Sequence, residues 1–166
     1  MKMAARLGDQ PTHPLPCALC GSPGSLTVTI GGQPAWRGVP SMMVAALQAA
    51  KAVADAAIQA AEAATVAAAG TPGAPAAYAA EQTVKGVVGA VMGQAISAAA
   101  AACGADIHFC ATPTALPPHG PGVVLNGSTT VFINGLPAAR TQDQVMEAAG
   151  PPNQIQIGCV NVFIGG

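Results

Sequence analysis

The spacing of apolar residues changes along the chain. In three places it alternates: Val28 and Ile30 flank Thr29, Val131 and Ile133 flank Phe132, and Val162 and Ile164 flank Phe163. A period of two over so few residues predicts short, half-buried strands. Gly31-Gly32 and Asn134-Gly135 directly follow the first two and supply the positive φ that a two-residue hairpin turn needs. The middle of the chain reads differently, with 27 alanines in the 60 positions 44–103. Alanine is the strongest helix former, and the segments 41–69 and 76–103 have no internal proline. Gly70-Thr71-Pro72-Gly73-Ala74-Pro75 breaks the pattern between them. Gln48, Lys51, Asp55, Gln59 and Glu62 recur at helical spacing as one polar stripe, and Gln82, Lys85, Gln94 and Ser97 form a sparser second one. The expectation is an antiparallel helical hairpin, each arm roughly 40 Å long at 1.5 Å per residue.

The strands belong to an internal repeat. Gly24 to Arg37 lines up with Gly127 to Arg140, and a third copy begins at Gly158 and stops at Gly166. Its missing remainder stands at the other end of the chain, where Ala4-Ala5-Arg6-Leu7-Gly8-Asp9-Gln10 matches Ala138-Ala139-Arg140-Thr141-Gln142-Asp143-Gln144. Read cyclically there are three units, the third closed by the N-terminus. Three small hairpins cannot each bury an apolar face, but around one axis they share a core. The predicted fold class is therefore mainly β: a small pseudo-threefold body of short hairpins, residues 1–40 and 104–166, with residues 41–103 inserted as the helical hairpin.

Composition narrows the function. Of 166 residues, 51% are apolar, 3% aromatic and 8% charged, against about 25% charged in an ordinary soluble domain. A formal charge of −1 offers no basic stripe for nucleic acid. A chain with so little charge covers its surface with a partner or with lipid, so it reads as a subunit. Met1 to Arg6 begins no apolar run of signal-peptide length, so no secretory signal is expected. Five cysteines (Cys17, Cys20, Cys103, Cys110 and Cys159) are an odd number and read as reduced thiols.

Pro137-Ala138-Ala139-Arg140, its variant Pro34-Ala35-Trp36-Arg37 and the strand-Asn-Gly turns resemble the PAAR-repeat family. Ala4-Ala5-Arg6, Asp9 and His13 are similar to the N-terminal segment that completes the fold in some members. The resemblance covers residues 1–40 and 104–166. It implies a pointed cone whose base docks on the trimeric VgrG spike of a type VI secretion system, or of a related contractile injection system, with one tip per trimer. It also implies assembly in the bacterial cytoplasm followed by injection, and a metal ion at the tip. In members with effector domains, apolar helices near the tip are chaperone-bound translocation segments.

The ligands expected for that metal are His13, His108, His119 and Cys159. Each histidine lies in a loop flanked by proline or glycine. Cys159 occupies the repeat position of Ser25 and Ser128, which places it at one end of its strand, taken to be the end the histidines enter. Three imidazoles and one thiolate close a tetrahedral zinc shell, and a structural zinc contributes roughly 10–16 kcal/mol to a body with little core. Cys110 rivals Cys159 for the thiolate position, and Cys17-x-x-Cys20 is a weaker rival pair. A closed shell, with no His-Glu-x-x-His or Gly-x-Ser-x-Gly pattern, argues against an enzyme. A small zinc hydrolase toxin is the least favoured reading. Arg140 with Asp143 and Arg6 with Asp9 are expected to pair, and Trp36 to plug the core or join the docking base. The third hairpin is expected to end the chain without a fused toxin, so effector cargo or a chaperone would bind non-covalently on the helical hairpin. A close-packed soluble hairpin is the first reading of the insert, and a membrane-active one, with Gly86 to Cys103 free of charge, is the alternative.

Overall fold

The computed structural model describes residues 1–13, 17–110 and 119–166. Ten short strands and two long helices follow in the order β1 (Lys2–Ala4), β2 (Thr29–Ile30), β3 (Gln33–Pro34), α1 (Ser41–Ala68), α2 (Ala74–Cys103), β4 (Ile107–Cys110), β5 (Gly120–Val124), β6 (Phe132–Ile133), β7 (Leu136–Pro137), β8 (Gln144–Glu147), β9 (Asn153–Gln154) and β10 (Cys159–Ile164). Among the described residues the helices, 28 and 30 residues long, hold more than the strands do, and the small antiparallel sheets stand beside the inserted helical hairpin. All pairing is antiparallel, in the sheets β1-β10, β2-β3, β6-β7 and β4-β5-β8-β9.

The three copies close on one another as the cyclic repeat requires. β2-β3 and β6-β7 are two-residue hairpins whose turn residues all have positive φ: 57° and 82° at Gly31 and Gly32, 52° and 78° at Asn134 and Gly135. Those values define the turn whose twist matches the flanking strands. The third hairpin is made from the two chain ends, with Lys2 opposite Ile164 and Met3 opposite Phe163. Inside them runs a ring of three backbone hydrogen bonds. Ala5 N–H donates to Ala139 C=O at 2.9 Å, Ala139 N–H to Trp36 C=O at 2.9 Å, and Trp36 N–H to Ala5 C=O at 3.0 Å. Antiparallel bridges Ala4 to Arg140, Arg6 to Ala35 and Arg37 to Ala138 lie beside it.

Each copy then locks its arginine in the same way. Asp9 accepts from the backbone N–H, Nε and Nη2 of Arg6 at 2.8, 3.2 and 2.9 Å. Asp143 does so from Arg140 at 2.8, 3.1 and 3.0 Å. The equivalent acid of the remaining copy is Asp106, which accepts from Arg37 at 2.8, 2.9 and 2.8 Å. These charge-assisted bonds hold the Arg6 and Arg37 guanidinium pKa values above their ordinary level. In two copies the pair is three residues apart, but Arg37 and Asp106 are separated by both helices. Pro40 precedes α1, and Gly104, left-handed at φ 78°, ends α2. The hairpin thus enters and leaves the body within one Arg-Asp unit.

Two apolar layers arise from the repeat. Ala4, Ala35 and Ala138 cluster with Ile30, Ile133 and Ile164 under the hairpins. The next residue of each copy, Ala5, Trp36 and Ala139, packs with Leu19, Val124, Val145 and Ile155. Trp36 is fully buried there, one large side chain against two alanines at equivalent positions. A third cluster joins the helices to the body, with Met92, Ile96 and Ala100 of α2 against Val123, Leu125 and Met146.

Breaking a buried ion pair by removing one partner costs about 3–5 kcal/mol. Asp106→Ala and Asp143→Ala are therefore expected to lower the urea midpoint sharply, whereas Asp55→Ala, at the more exposed Lys51–Asp55 pair on α1, costs under about 1 kcal/mol. Equal midpoints for the three variants would contradict this assignment of Asp106.

Candidate metal centre

The Arg-Asp locks also set the register of the residues beyond them. Four residues after Asp9 stands His13, four after Asp106 stands Cys110, and four after Asp143 stands Glu147. These three equivalent positions converge, with His119, into one group whose ligand atoms all lie within 4.8 Å of one another. A second such group, His13, Cys17, His108 and Cys110, shares two members with the first.

The sheet builds most of this. His108 on β4, Gly122 on β5 and Glu147 on β8 stand in one cross-strand row. Gly122 is needed in the middle, because a Cβ there would lie 2.9 Å from Glu147 Cγ. Without it, His108 Nε2 reaches to 3.3 Å from Glu147 Oε1. His13 Nε2 lies 2.8 Å from the same oxygen, and its Nδ1 lies 3.6 Å from Cys110 Sγ. Cys17 Sγ is 3.6 Å from His108 Nε2. Asn153 Nδ2 donates to Glu147 Oε2 at 2.9 Å and orients the carboxylate. Glu147 and His108 are fully buried.

Electrostatics and hydrogen bonding show what the cluster lacks. Burial pushes the Glu147 pKa up, but the His108 and His13 imidazoles outweigh it and hold the value below the usual range. Burial first, and then Cys110 beside it, push the Cys17 thiol up to about 12. His108 Nδ1 is buried with no hydrogen-bond partner among the described residues. His119 Nδ1 lies 2.7 Å from Glu147 Oε2 but makes no hydrogen bond of proper geometry among the described residues. Buried polar atoms left this way are costly. Imidazole nitrogens, sulfurs and a carboxylate oxygen crowded within 4.8 Å of one another suit a shared cation, and N, S and O donors are the set zinc accepts. The residues present therefore fit a metal ion. His13 and Cys110 belong to both groups, completed by His119 with Glu147 or by Cys17 with His108.

Of the four ligands expected from the sequence, the structure places His13 with His108 in one group and with His119 in the other, and Cys159 is in neither. Its equivalence to Ser25 and Ser128 does hold, but that position marks the hairpin end of the body. Ser25 Oγ donates to Asn134 Oδ1 at 2.6 Å, and Ser128 Oγ donates to the Gly165 carbonyl at 2.5 Å. Cys159 Sγ closes the same cycle against the remaining turn, where a Cβ on Gly31 would come within 2.9 Å of it. It packs with Ala4, Ile30 and Ile164. The thiol position at the cluster is taken by Cys110, its rival in the sequence. Glu147 escaped the sequence reading altogether, although the four-residue step after each acid would have found it.

The fold and the cluster define a class: a small repeat protein whose three copies close on an axis and send one metal-type ligand each to the same end. Within that class, residues 114–166 match the family model of the PAAR motif, so this part of the chain carries a PAAR motif. The match covers about a third of the chain, so the helices and the N-terminal copy lie outside it. No curated protein matches the chain.

Purified protein is expected to hold one zinc-class ion per chain by elemental analysis. His13→Ala and Cys110→Ser should lose it, and Cys159→Ser should keep it. Loss in Cys159→Ser with retention in Cys110→Ser would reverse the assignment.

Proposed function

We propose that the protein is a structural tip, not an enzyme, which caps the trimeric VgrG-type spike of a type VI secretion or related contractile injection system. The observation that carries this reading is the three-membered backbone ring, because a body with pseudo-threefold symmetry presents three similar edges to a threefold partner. The PAAR match supports it. The docking surface is the hairpin side, where Leu26, Phe132, Val160 and Phe163 are exposed, Phe132 and Phe163 at 57% and 55%. Large apolar side chains left open in this number mark an interaction surface. On this reading the metal cluster is the tip of the cone that the PAAR match implies. There a structural zinc ion on His13 and Cys110, with two of the neighbouring donors, ties the converging copies together. When bound, the ion supplies cross-linking energy and no reaction. Assembly takes place in the bacterial cytoplasm, and the tip leaves with the spike on injection, with any effector cargo held on the helical hairpin.

A second role, for the insert, is favoured by the way its charges face. Lys51 and Lys85 are only 6% and 9% exposed, while Val53 and Val66 are 73% and 74% exposed. Lys85 bridges to Glu62 at 2.7 Å and to Glu81 at 2.6 Å, and Lys51 pairs with Asp55. Charge is paired along the hairpin, valine faces outward, and both helices are long and apolar enough to cross a bilayer. Apart from the half-exposed carboxylates of Asp55 and Glu62, such a surface is one that lipid can meet.

Mixing the protein with a trimeric VgrG-type spike should give one chain per trimer. Phe132→Asp with Phe163→Asp should weaken that complex by more than about tenfold, as loss of buried aromatic anchors does. A double variant that binds like wild type would remove the hairpin side as the docking surface. In flotation with anionic vesicles the intact chain should rise with lipid, and Val53→Asp with Val87→Asp should stay below. A wild-type chain that stays in the aqueous fraction ends the membrane reading.

A further inference from the structure

The metal centre holds more donors than a four-coordinate ion uses. Two of these donors are a thiol pair. Cys17 and Cys110 come from segments 93 residues apart, yet their sulfurs lie within 4.8 Å of each other. All five cysteines are thiols in this structure. We propose that Cys17 and Cys110 form a disulfide when the ion leaves, so that a covalent bond replaces the metal cross-link at the tip. This rests on the metal reading of the cluster and goes beyond it by assigning a modification site.

Access gives the pair an order. Cys17 is partly exposed at the rim, and Cys110 is 3% exposed beneath it. An oxidant of the disulfide class meets Cys17 first. The Cys17 thiol first gives up its proton to buffer, then attacks one sulfur of that disulfide, forms a mixed disulfide and expels a thiolate. Cys110, as thiolate, then attacks the Cys17 sulfur and expels the second half of the oxidant as thiolate. Two protein thiols are oxidised to one disulfide, the oxidant disulfide is reduced to two thiols, and the protons pass to those thiols or to buffer. An ion held by Cys110, which belongs to both ligand groups, would engage its sulfur and so block the second attack that closes the disulfide.

Cys20 supplies the competing outcome. Its sulfur lies 3.8 Å from the Phe109 carbonyl oxygen and that of Cys17 lies 3.9 Å from the same atom, so Cys17-x-x-Cys20 is the local alternative. Cys20 is exposed on the surface, however, and does not belong to either ligand group. A Cys17–Cys20 bond would close a short local loop and join nothing. The Cys17–Cys110 bond joins the N-terminal copy to the sheet at the place the ion would hold. A tip carried from a reducing cytoplasm into an oxidising compartment would stay cross-linked after losing its metal.

The test uses the full chain with glutathione disulfide as oxidant, with and without prior metal removal by chelator, followed by peptide mapping without reduction. The metal-free chain should give the Cys17–Cys110 peptide pair with loss of two hydrogens. Formation should be at least about tenfold slower in the metal-loaded chain. Cys110→Ser should stop at the glutathione adduct on Cys17. A metal-free wild-type chain giving only Cys17–Cys20, or no disulfide, overturns the proposal without any variant having to fold. Ion content is read on the same samples. A chain that never binds an ion overturns the metal reading, and one that binds and releases it but forms no Cys17–Cys110 bond overturns this inference alone.

Discussion

Everything else in this molecule hangs on three backbone hydrogen bonds between Ala5, Trp36 and Ala139. They close a cycle in which each copy donates to one neighbour and accepts from the other. Each of the three residues thereby has both its N–H and its C=O paired. The body has few large side chains, so it cannot rely on a deep core. It uses repetition instead, with the same ring bond, the same arginine lock and the same hairpin three times over. Alanine at Ala4, Ala5, Ala35, Ala138 and Ala139 suits that closeness, since backbones this near leave room for little more than a methyl group. Trp36 is the single exception and fills the space its two alanine equivalents leave.

The ring also explains how so small a body tolerates two helices of 28 and 30 residues. Loop-closure entropy grows only slowly with length, so the deciding condition is whether the ends of an insertion meet. Here they meet at Arg37 and Asp106, where three charge-assisted hydrogen bonds restore the lock that the other copies form locally. Asp106 N–H also donates to the Arg37 carbonyl at 3.3 Å, as Asp9 and Asp143 donate to Arg6 and Arg140 at 3.1 and 3.2 Å. Chain continuity is broken by the insertion, and the hydrogen-bond pattern is not.

That same break limits how far the sequence alone could be read. The strands, their glycine turns and the cyclic order were legible because each is a local pattern repeated. The helices were legible from alanine content and from the Gly-Pro break between them. Asp106 was hidden, since its arginine lies 69 positions back and no local spacing announces the pair. Once Asp106 is hidden, so is the step of four from acid to ligand that picks out Cys110, whereas the same step from Asp143 to Glu147 lay open in the repeat. Cys159 failed for another reason. A repeat position says which residues are equivalent, but it does not say which end of the body they occupy, and only the packing against Ile30 and Gly31 decides that. The facing of the lysines was also not legible. Helical spacing gives one stripe, and whether the stripe meets water or a neighbouring helix depends on tertiary contacts.

The three copies are equivalent in backbone and unequal in side chain, and the metal centre depends on both properties. Equivalence brings positions 13, 110 and 147 to the same end of the body. Inequality makes them an imidazole, a thiol and a carboxylate, donors of different charge and softness that three identical copies could not supply. A fourth donor must then come from outside the repeat, and His119, at the entry to β5, stands where it can do so, 2.7 Å from Glu147. Three equivalent donors plus one extra is the count that a four-coordinate ion takes. Divergence among the repeats is thus what allows a symmetric scaffold to end in a single ion site, and it is why the ligands share a register but no common motif.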